Sequence, residues 1–272
     1  MSHIAITIQV NDTLTDLLIA QLSEIGFEGF EEQEQKLIAY IPADDLQEEA
    51  LNDILAPHGI TYTKEIIQPV NWNAVWESNF QPVLVDDFCG IRAEFHDAFN
   101  PKPDYEIVIT PKMAFGTGHH ATTSSMIRLM ETLPVKGKRV FDFGTGTGIL
   151  AILAEMMGAS VIDAIDYDEW AVNNTRENIE ANGMTKTKVW QADTLTDISS
   201  TYDIILANIN CNILLQFMGE MKRILAENGQ LLLSGILTTD EPQITEAAAA
   251  VGLQLTHKIE KDNWLALQFE TK

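Results

Sequence analysis

Apolar and polar residues alternate from His3 to Val10, with Ile4, Ile6, Ile8 and Val10 on one face, the period-two pattern of a half-buried strand. Asp12 or Thr13 can then cap a helix, and the apolar spacing switches to three and four at Leu14, Leu17, Leu18, Leu22 and Ile25. Gly26 and Gly29 end that helix and open a strand, and a second strand is expected from Lys36 to Ile41. After Pro42 the helical spacing returns at Leu46, Ala50, Leu51, Ile54 and Leu55. Pro57 and Gly59 stop it, and Thr61 to Ile67 reads as a last strand. The order β-α-β-β-α-β over residues 1–68 predicts a ferredoxin-like split βαβ module.

Pro69 marks a boundary. Trp72, Val75, Trp76 and Phe80 keep helical spacing, so a linker helix is expected over 69–81, capped by Asn71. Residues 82–272 then read as a second domain. Pro82 to Phe95 and Tyr105 to Ile109 look like short strands around a Pro-rich loop at Asn100 to Pro103. From Thr122 onward, helices alternate with near-continuous apolar runs. Strands are expected at Arg139 to Phe143, Val161 to Asp166, Val189 to Ala192, Tyr202 to Asn208 and Gly229 to Gly235. Helices are expected at Ile149 to Met157, at Glu169 to Ala181, and along the stripe Ile213, Leu214, Phe217, Met218, Met221, Ile224 and Leu225. A last helix rich in alanine, Ala247 to Ala250, precedes a hairpin of Leu253 to Ile259 and Trp264 to Phe269. Strands buried on both sides and separated by helices imply a doubly wound α/β sheet.

Charge sharpens this division. The 272 residues carry 17 Lys and Arg against 40 Asp and Glu, a formal net charge of −23. Residues 1–68 alone hold 13 acidic and 2 basic side chains, a net of −11. Such acidity disfavours unaided binding to nucleic acid, whose phosphates need Lys and Arg. It favours basic partners, or simply a soluble surface. With 46% apolar and 21% charged residues, the chain can bury a core and is not a disordered acidic tail. No apolar run reaches the ~18 residues of a membrane span, and Met1-Ser2-His3-Ile4 does not open a secretory leader. Cys89 and Cys211 form no CxxC pair or metal-ligand spacing, so a reduced cytoplasm is expected.

The sharpest motif is Asp142-Phe143-Gly144-Thr145-Gly146-Thr147-Gly148, where a strand ends and a helix begins. Glycines there let the backbone turn tightly and approach a ligand, and the helix N-terminus offers free N–H groups. A dinucleotide needs G-x-G-x-x-G, and the third glycine's place is held by Ile149. A carboxylate ahead of the turn suits a cationic ligand better than a pyrophosphate. S-adenosylmethionine, with its ammonium and sulfonium, meets that description. Asp166 ends the next strand, 22 positions after Gly144, where a carboxylate can accept two hydrogen bonds from a ribose diol. Asp168, at the head of the following helix, is the better cap.

These features resemble the class I methyltransferases that use S-adenosylmethionine, and more narrowly the lysine methyltransferases of ribosomal protein eleven of the large subunit. Three stretches carry the resemblance: Ala114-Phe115-Gly116-Thr117-Gly118-His119-His120-Ala121-Thr122-Thr123, Phe141 to Gly148, and Leu206-Ala207-Asn208-Ile209. It spans nearly the whole chain, because that family also has a small N-terminal domain and a Trp-containing linker helix. It implies a Rossmann-like sheet of seven strands behind a substrate-recognising α+β ferredoxin-like domain, in a monomeric enzyme. It also implies that Thr123, Gly144, Asp166 and Asn208 lie against the cofactor, with Gly146 in the same turn. The chain departs from the family's T-H-P-T-T with His119 for Thr and Ala121 for Pro. It departs again with Asn210-Cys211 after Asn208-Ile209.

Asn208 has a reading of its own. It closes the run Ile204-Ile205-Leu206-Ala207 at the edge of the sheet where ligands sit. Its amide oxygen can accept a hydrogen bond from an incoming amine and align the nitrogen lone pair, although a strand-ending Asn also simply shapes turns. His119 and His120 are adjacent and lack flanking ligands at metal spacing, so no metal is expected. Cys211 reads as an inert helix residue, and Trp72 and Trp76 as linker packing. The expected reaction is in-line methyl transfer to a lysine nitrogen of a basic ribosomal protein, with no dedicated base in view. Rival readings are a methyltransferase for another protein, a glutamine side chain or a small amine; a nicotinamide oxidoreductase, disfavoured by Ile149; and a cofactor-binding module that only docks.

Overall fold

The alternating N-terminal run forms β1 (His3–Gln9), which buries Ile4, Ile6 and Ile8. The computed structural model of the protein describes residues 2–10, 12–33, 35–67, 80–112 and 115–271. It divides into two compact units, 1–75 and 76–272. In the first, β1 is followed by α1 (Asp12–Glu24), β2 (Gly29–Gln33), β3 (Lys36–Pro42), α2 (Glu48–Leu55) and β4 (Tyr62–Ile67). The sheet runs β2-β3-β1-β4, antiparallel throughout, which is the ferredoxin-like order. Leu18 and Leu22 of α1 meet Leu51 and Leu55 of α2 over Leu37, Ala39 and Ile41 of β3, so the helical stripes and the alternating strand faces share one core. Helix α2 starts at Glu48 rather than directly after Pro42. The intervening segment turns instead, and the Ala43 N–H donates to the Ser2 carbonyl (2.9 Å). The cap expected from Asp12 or Thr13 and the linker helix expected around Trp72 and Trp76 lie outside the described side chains and residues.

The second unit is built on β8 (Arg139–Phe143), β9 (Val161–Asp166), β10 (Thr187–Gln191), β11 (Tyr202–Asn208), β12 (Leu225–Leu237), β13 (Leu253–Lys261) and β14 (Trp264–Thr271). These seven strands lie in the order β10-β9-β8-β11-β12-β14-β13. The first five are parallel, and β14 is antiparallel to both its neighbours. Helices α3 (Ala121–Glu131), α4 (Ile149–Met156) and α5 (Glu169–Ala181) pack with Val140, Ile162, Leu206 and Leu232 on one face. Helices α6 (Cys211–Ile224) and α7 (Glu241–Ala250) pack with Phe141, Ile165, Ile205 and Leu233 on the other. Successive strand residues thus point to opposite, equally buried faces, which is why these runs are apolar without alternation. Two strands differ from the sequence expectation: β12 begins at Leu225 rather than Gly229, and β10 covers Thr187–Gln191 rather than Val189 to Ala192.

A separate sheet of β5 (Val83–Val85), β6 (Cys89–Ala93) and β7 (Tyr105–Ile109) precedes it. The stretch Pro82 to Phe95 is two strands, because Asp86, at φ 50°, folds it into an antiparallel hairpin. On the far side of β7 the hydrogen-bonding partners are side chains of α5. Asn182 accepts from the Val108 N–H (2.9 Å) and donates to the Val108 carbonyl (2.6 Å). Asn178 accepts from the Thr110 N–H (2.8 Å), and Asn174 donates to the Thr110 carbonyl (3.2 Å). The match is geometric: four helix residues advance about 6 Å and two strand residues about 6.7 Å.

Candidate functional site

Beyond Phe143 the chain turns through Gly144, Gly146 and Gly148 at φ of 77°, 58° and 83°, a region that L side chains rarely adopt. Space excludes side chains as well. A Cβ at 144 would strike the Ile209 side chain, and one at 146 the Phe115 carbonyl. The Gly144 and Thr145 N–H groups donate to the Ile165 carbonyl (2.9 and 3.0 Å), tying the turn to β9. The Thr147 N–H donates to the Phe115 carbonyl (3.1 Å) and its hydroxyl to the Gly116 carbonyl (2.9 Å). Two motifs far apart in sequence are therefore one structure. Ile149, where a dinucleotide fold would need glycine, is the buried first residue of α4.

A cavity of about 870 Å³ opens at the carboxyl edge of the sheet. Gly144, Gly146, Asp166 and Asn208 line it, and Thr123 joins Gly144 and Asn208 around a small adjoining hollow. All five expected residues thus lie at one place, where β8 and β11 carry their connections to opposite faces of the sheet. Asp166 accepts from the Gly146 N–H (2.9 Å) on Oδ2 and from the Asp168 N–H (3.0 Å) on Oδ1. Each of those oxygens retains accepting capacity. Asp168 accepts from the Trp170 N–H (2.9 Å) and caps α5, as expected. Asn208 donates through Nδ2 to the Thr123 hydroxyl (3.3 Å), while its buried Oδ1 has no hydrogen-bond partner. Asp168 and Asp193 also line the cavity, and no Lys or Arg stands among its described lining residues. That set of acceptors fits a cationic nucleoside and repels a pyrophosphate.

Asp142 does not face this cavity. It lies beneath the turn, 1% exposed, and accepts from the Thr145 hydroxyl (2.7 Å). Burial, with the charge of Asp166 adding to it, pushes its carboxyl up to about 7, and the Thr145 hydroxyl and Ala151 N–H hold it back from going higher.

The two histidines part company. His120 caps α3, with Nδ1 accepting from the Thr122 N–H (3.3 Å), and its ring sits between Phe115 and Trp264 in the cavity wall. His119 lies edge-on against Phe80 (5.0 Å). Ala121 is the first residue of α3, a position that suits proline and alanine alike. Asn210 caps α6 by accepting from the Ile213 N–H (3.1 Å), and Cys211 begins that helix with its thiol raised by burial. Sequence reasoning missed the rings of Phe115, Tyr167 and Trp264, and Gly235, whose Cβ would collide with the Ile209 carbonyl. Trp264 had one local signal: Asp262 and Asn263, both at positive φ, make the tight turn that places it.

The family model described as "Ribosomal protein L11 methyltransferase (PrmA)" matches residues 3–272. A ribosomal protein L11 methyltransferase of Porphyromonas gingivalis is 44% identical over 268 residues, covering 95% of this chain and 91% of the relative. One from Phocaeicola vulgatus is 42% identical over 269 residues, covering 96% and 95%. Among solved structures, a ribosomal protein L11 methylase from Lactobacillus delbrueckii subsp. bulgaricus superposes with a TM-score of 0.66 at 30% identity, over 71% of this chain and 100% of the other. A methyltransferase from Pyrococcus furiosus, at TM-score 0.53 and 18% identity over 60% of this chain and 88% of the other, shares the fold. From residue 3 to its end, the chain belongs to the ribosomal protein L11 methyltransferase family.

Proposed function

We propose that this enzyme transfers methyl groups from S-adenosylmethionine to lysine amines of ribosomal protein L11. The observation that carries the reading is the unpartnered Oδ1 of Asn208 at the mouth of the Gly-rich turn, in a chain of this family. Bound S-adenosylmethionine supplies a methyl group already activated on sulfur, so the protein aligns the partners and excludes water. Gly144 and Gly146 offer a close backbone approach, Asp166 accepts from the ribose hydroxyls, and Thr123 holds Asn208 in place. Asn208 Oδ1 accepts an N–H of the incoming amine and turns its lone pair toward the methyl group.

We assign no base on that amine to any of the described lining residues. The Nδ1 of His120 is engaged at the head of α3 by the Thr122 N–H. The ammonium, with a pKa near ~10.4 in water, therefore releases its proton to solvent before transfer. The N-terminal module, with its net charge of −11, docks the basic protein. No helix among the described residues is long and apolar enough to cross a membrane. A cytoplasmic enzyme acting on protein rather than on nucleic acid follows from this reading. Incubation with methyl-labelled cofactor and unmethylated L11, followed by mass spectrometry, tests it. Label on L11 lysines is the expected result, and label on another ribosomal protein or on none overturns it.

A further inference from the structure

Asp142 is a buried acid that the transfer itself leaves unused. It is 1% exposed beneath the Gly-rich turn, with Ala164 of β9 and Leu206 of β11 as its strand neighbours. Its Oδ2 accepts from the Thr145 hydroxyl (2.7 Å), and its Oδ1 is buried without a hydrogen-bond partner. The Ala151 N–H at the head of α4 favours the charged form without closing that bond. A second carboxylate, Asp166 of β9, holds the Gly146 N–H of the same turn, and its charge adds to the burial that disfavours ionised Asp142. Of the charged side chains on the helices over this face, Arg128 pairs with Asp86, Glu155 with the Thr187 hydroxyl and Glu177 with Lys112. Glu131, Glu169, Arg176 and Glu180 are exposed.

S-adenosylmethionine and its demethylated form differ by one charge. Transfer breaks the S–C bond, leaves its electron pair on sulfur and forms the N–C bond, so the positive charge departs on the amine. S-adenosylhomocysteine keeps the ammonium, carboxylate and ribose, and the hydrogen bonds of those groups are open to both molecules. We propose that Asp142 tells the two apart by charge: it gives up its proton when S-adenosylmethionine binds and takes one back once the sulfur is neutral, so that the demethylated cofactor is held less tightly and leaves. The proposal rests on the cofactor lying against the Gly-rich turn. No Lys or Arg stands among the described lining residues to offset a second negative charge beside Asp166, so a bound cation is what makes room for it. Attraction across the turn is weakly screened, because Asp142 is shut off from water. With the carboxyl pushed up to about 7, a modest pull downward by a cation exchanges a proton near neutrality.

Calorimetry in two buffers of different ionisation enthalpy counts the protons released on binding. At about pH 6.5, S-adenosylmethionine should release about half a proton from the wild-type protein, and S-adenosylhomocysteine less than about a quarter of one. The ratio of their Kd values should rise about three- to tenfold in favour of S-adenosylmethionine from about pH 5.5 to about pH 7.5. In Asp142→Asn the two proton counts should agree, and the ratio should stay within about twofold across that range. The shared ammonium cancels in the comparison, and the variant, which leaves His120 in the cavity wall, assigns the proton. Equal release by both ligands, or a difference that persists in Asp142→Asn, overturns the proposal, and the wild-type count alone decides should the variant fail to fold. Asp166→Ala separates the two readings. Unchanged affinity there removes the cofactor from this turn and the role of Asp142 with it, whereas weakened binding beside equal proton counts in the wild type removes the role of Asp142 alone.

Discussion

Asp142 binds a proton more tightly in the folded chain than in the unfolded one. Its carboxyl is pushed up from 3.8 to about 7 by burial. Between those values the folded state holds the extra proton, so this residue's contribution to stability falls as pH rises through that window and is flat above it. This residue should therefore contribute less stability to the ligand-free protein at about pH 8 than at about pH 5, and Asp142→Asn should remove that contribution of a few kcal/mol from the pH dependence of melting. An identical pH dependence of melting in the variant would refute the assignment. Asp166→Ala should weaken S-adenosylmethionine binding about ten- to a hundredfold, as expected for lost hydrogen bonds to a charged group worth ~1.5–3 kcal/mol. An unchanged calorimetric Kd would remove Asp166 from the cofactor site. With no base at the amine, the single-turnover rate should keep rising with pH toward the lysine's own pKa, and a plateau near neutrality would reveal a base. Gly144, Asp166 and Asn208 were legible in the sequence because each sits at a strand end announced by its own apolar run. The burial of Asp142 was not, since it depends on how α4 closes over the turn.

Among the elements, α5 is bound to its neighbours by amides as well as by apolar packing. Asn178 donates to the Thr147 carbonyl (2.8 Å) while accepting from Thr110, so it links the Gly-rich turn to β7. Asn178→Ala would leave the half-buried Thr110 N–H and the buried Thr147 carbonyl without this partner, at ~1–3 kcal/mol each. Urea denaturation should show a loss of about 2–4 kcal/mol, and a loss below about 1 kcal/mol would mean that water replaces the amide. The run Asn174, Asn178, Asn182 has helical spacing, yet nothing local says that an Asn stripe will face a strand. The helices and parallel strands of the second unit were legible because their periods are long and unmixed. The hairpin at Asp86 was not, because a lone Asp at positive φ carries no signal within a run that otherwise reads as strand. Tyr105 to Ile109 was legible as a strand, but its pairing with β6 was not, because the two are joined across the loop of residues 94–104.

For the whole molecule, the proposed division of labour has a direct consequence. A chain beginning near Asn71 should fold and bind S-adenosylmethionine yet lose most methylation of L11, chiefly in kcat/KM, because docking energy remote from the reacting nitrogen is missing. Added salt should weaken L11 affinity of the full chain more than that of the short one, by screening the acidic module. Equal kcat/KM for both chains would show that residues 1–68 do not recognise the substrate. The amide ladder on α5 bears on a different property. A strand with an unoccupied edge is a template on which a neighbouring molecule can add its own strand, and β7 would be such an edge if only β6 paired with it. Asn182 occupies the outward N–H and carbonyl of Val108, and Asn178 the N–H of Thr110, as a partner strand would. Truncating both should therefore expose an adhesive border, and the variant should self-associate at concentrations where the wild-type protein stays dispersed.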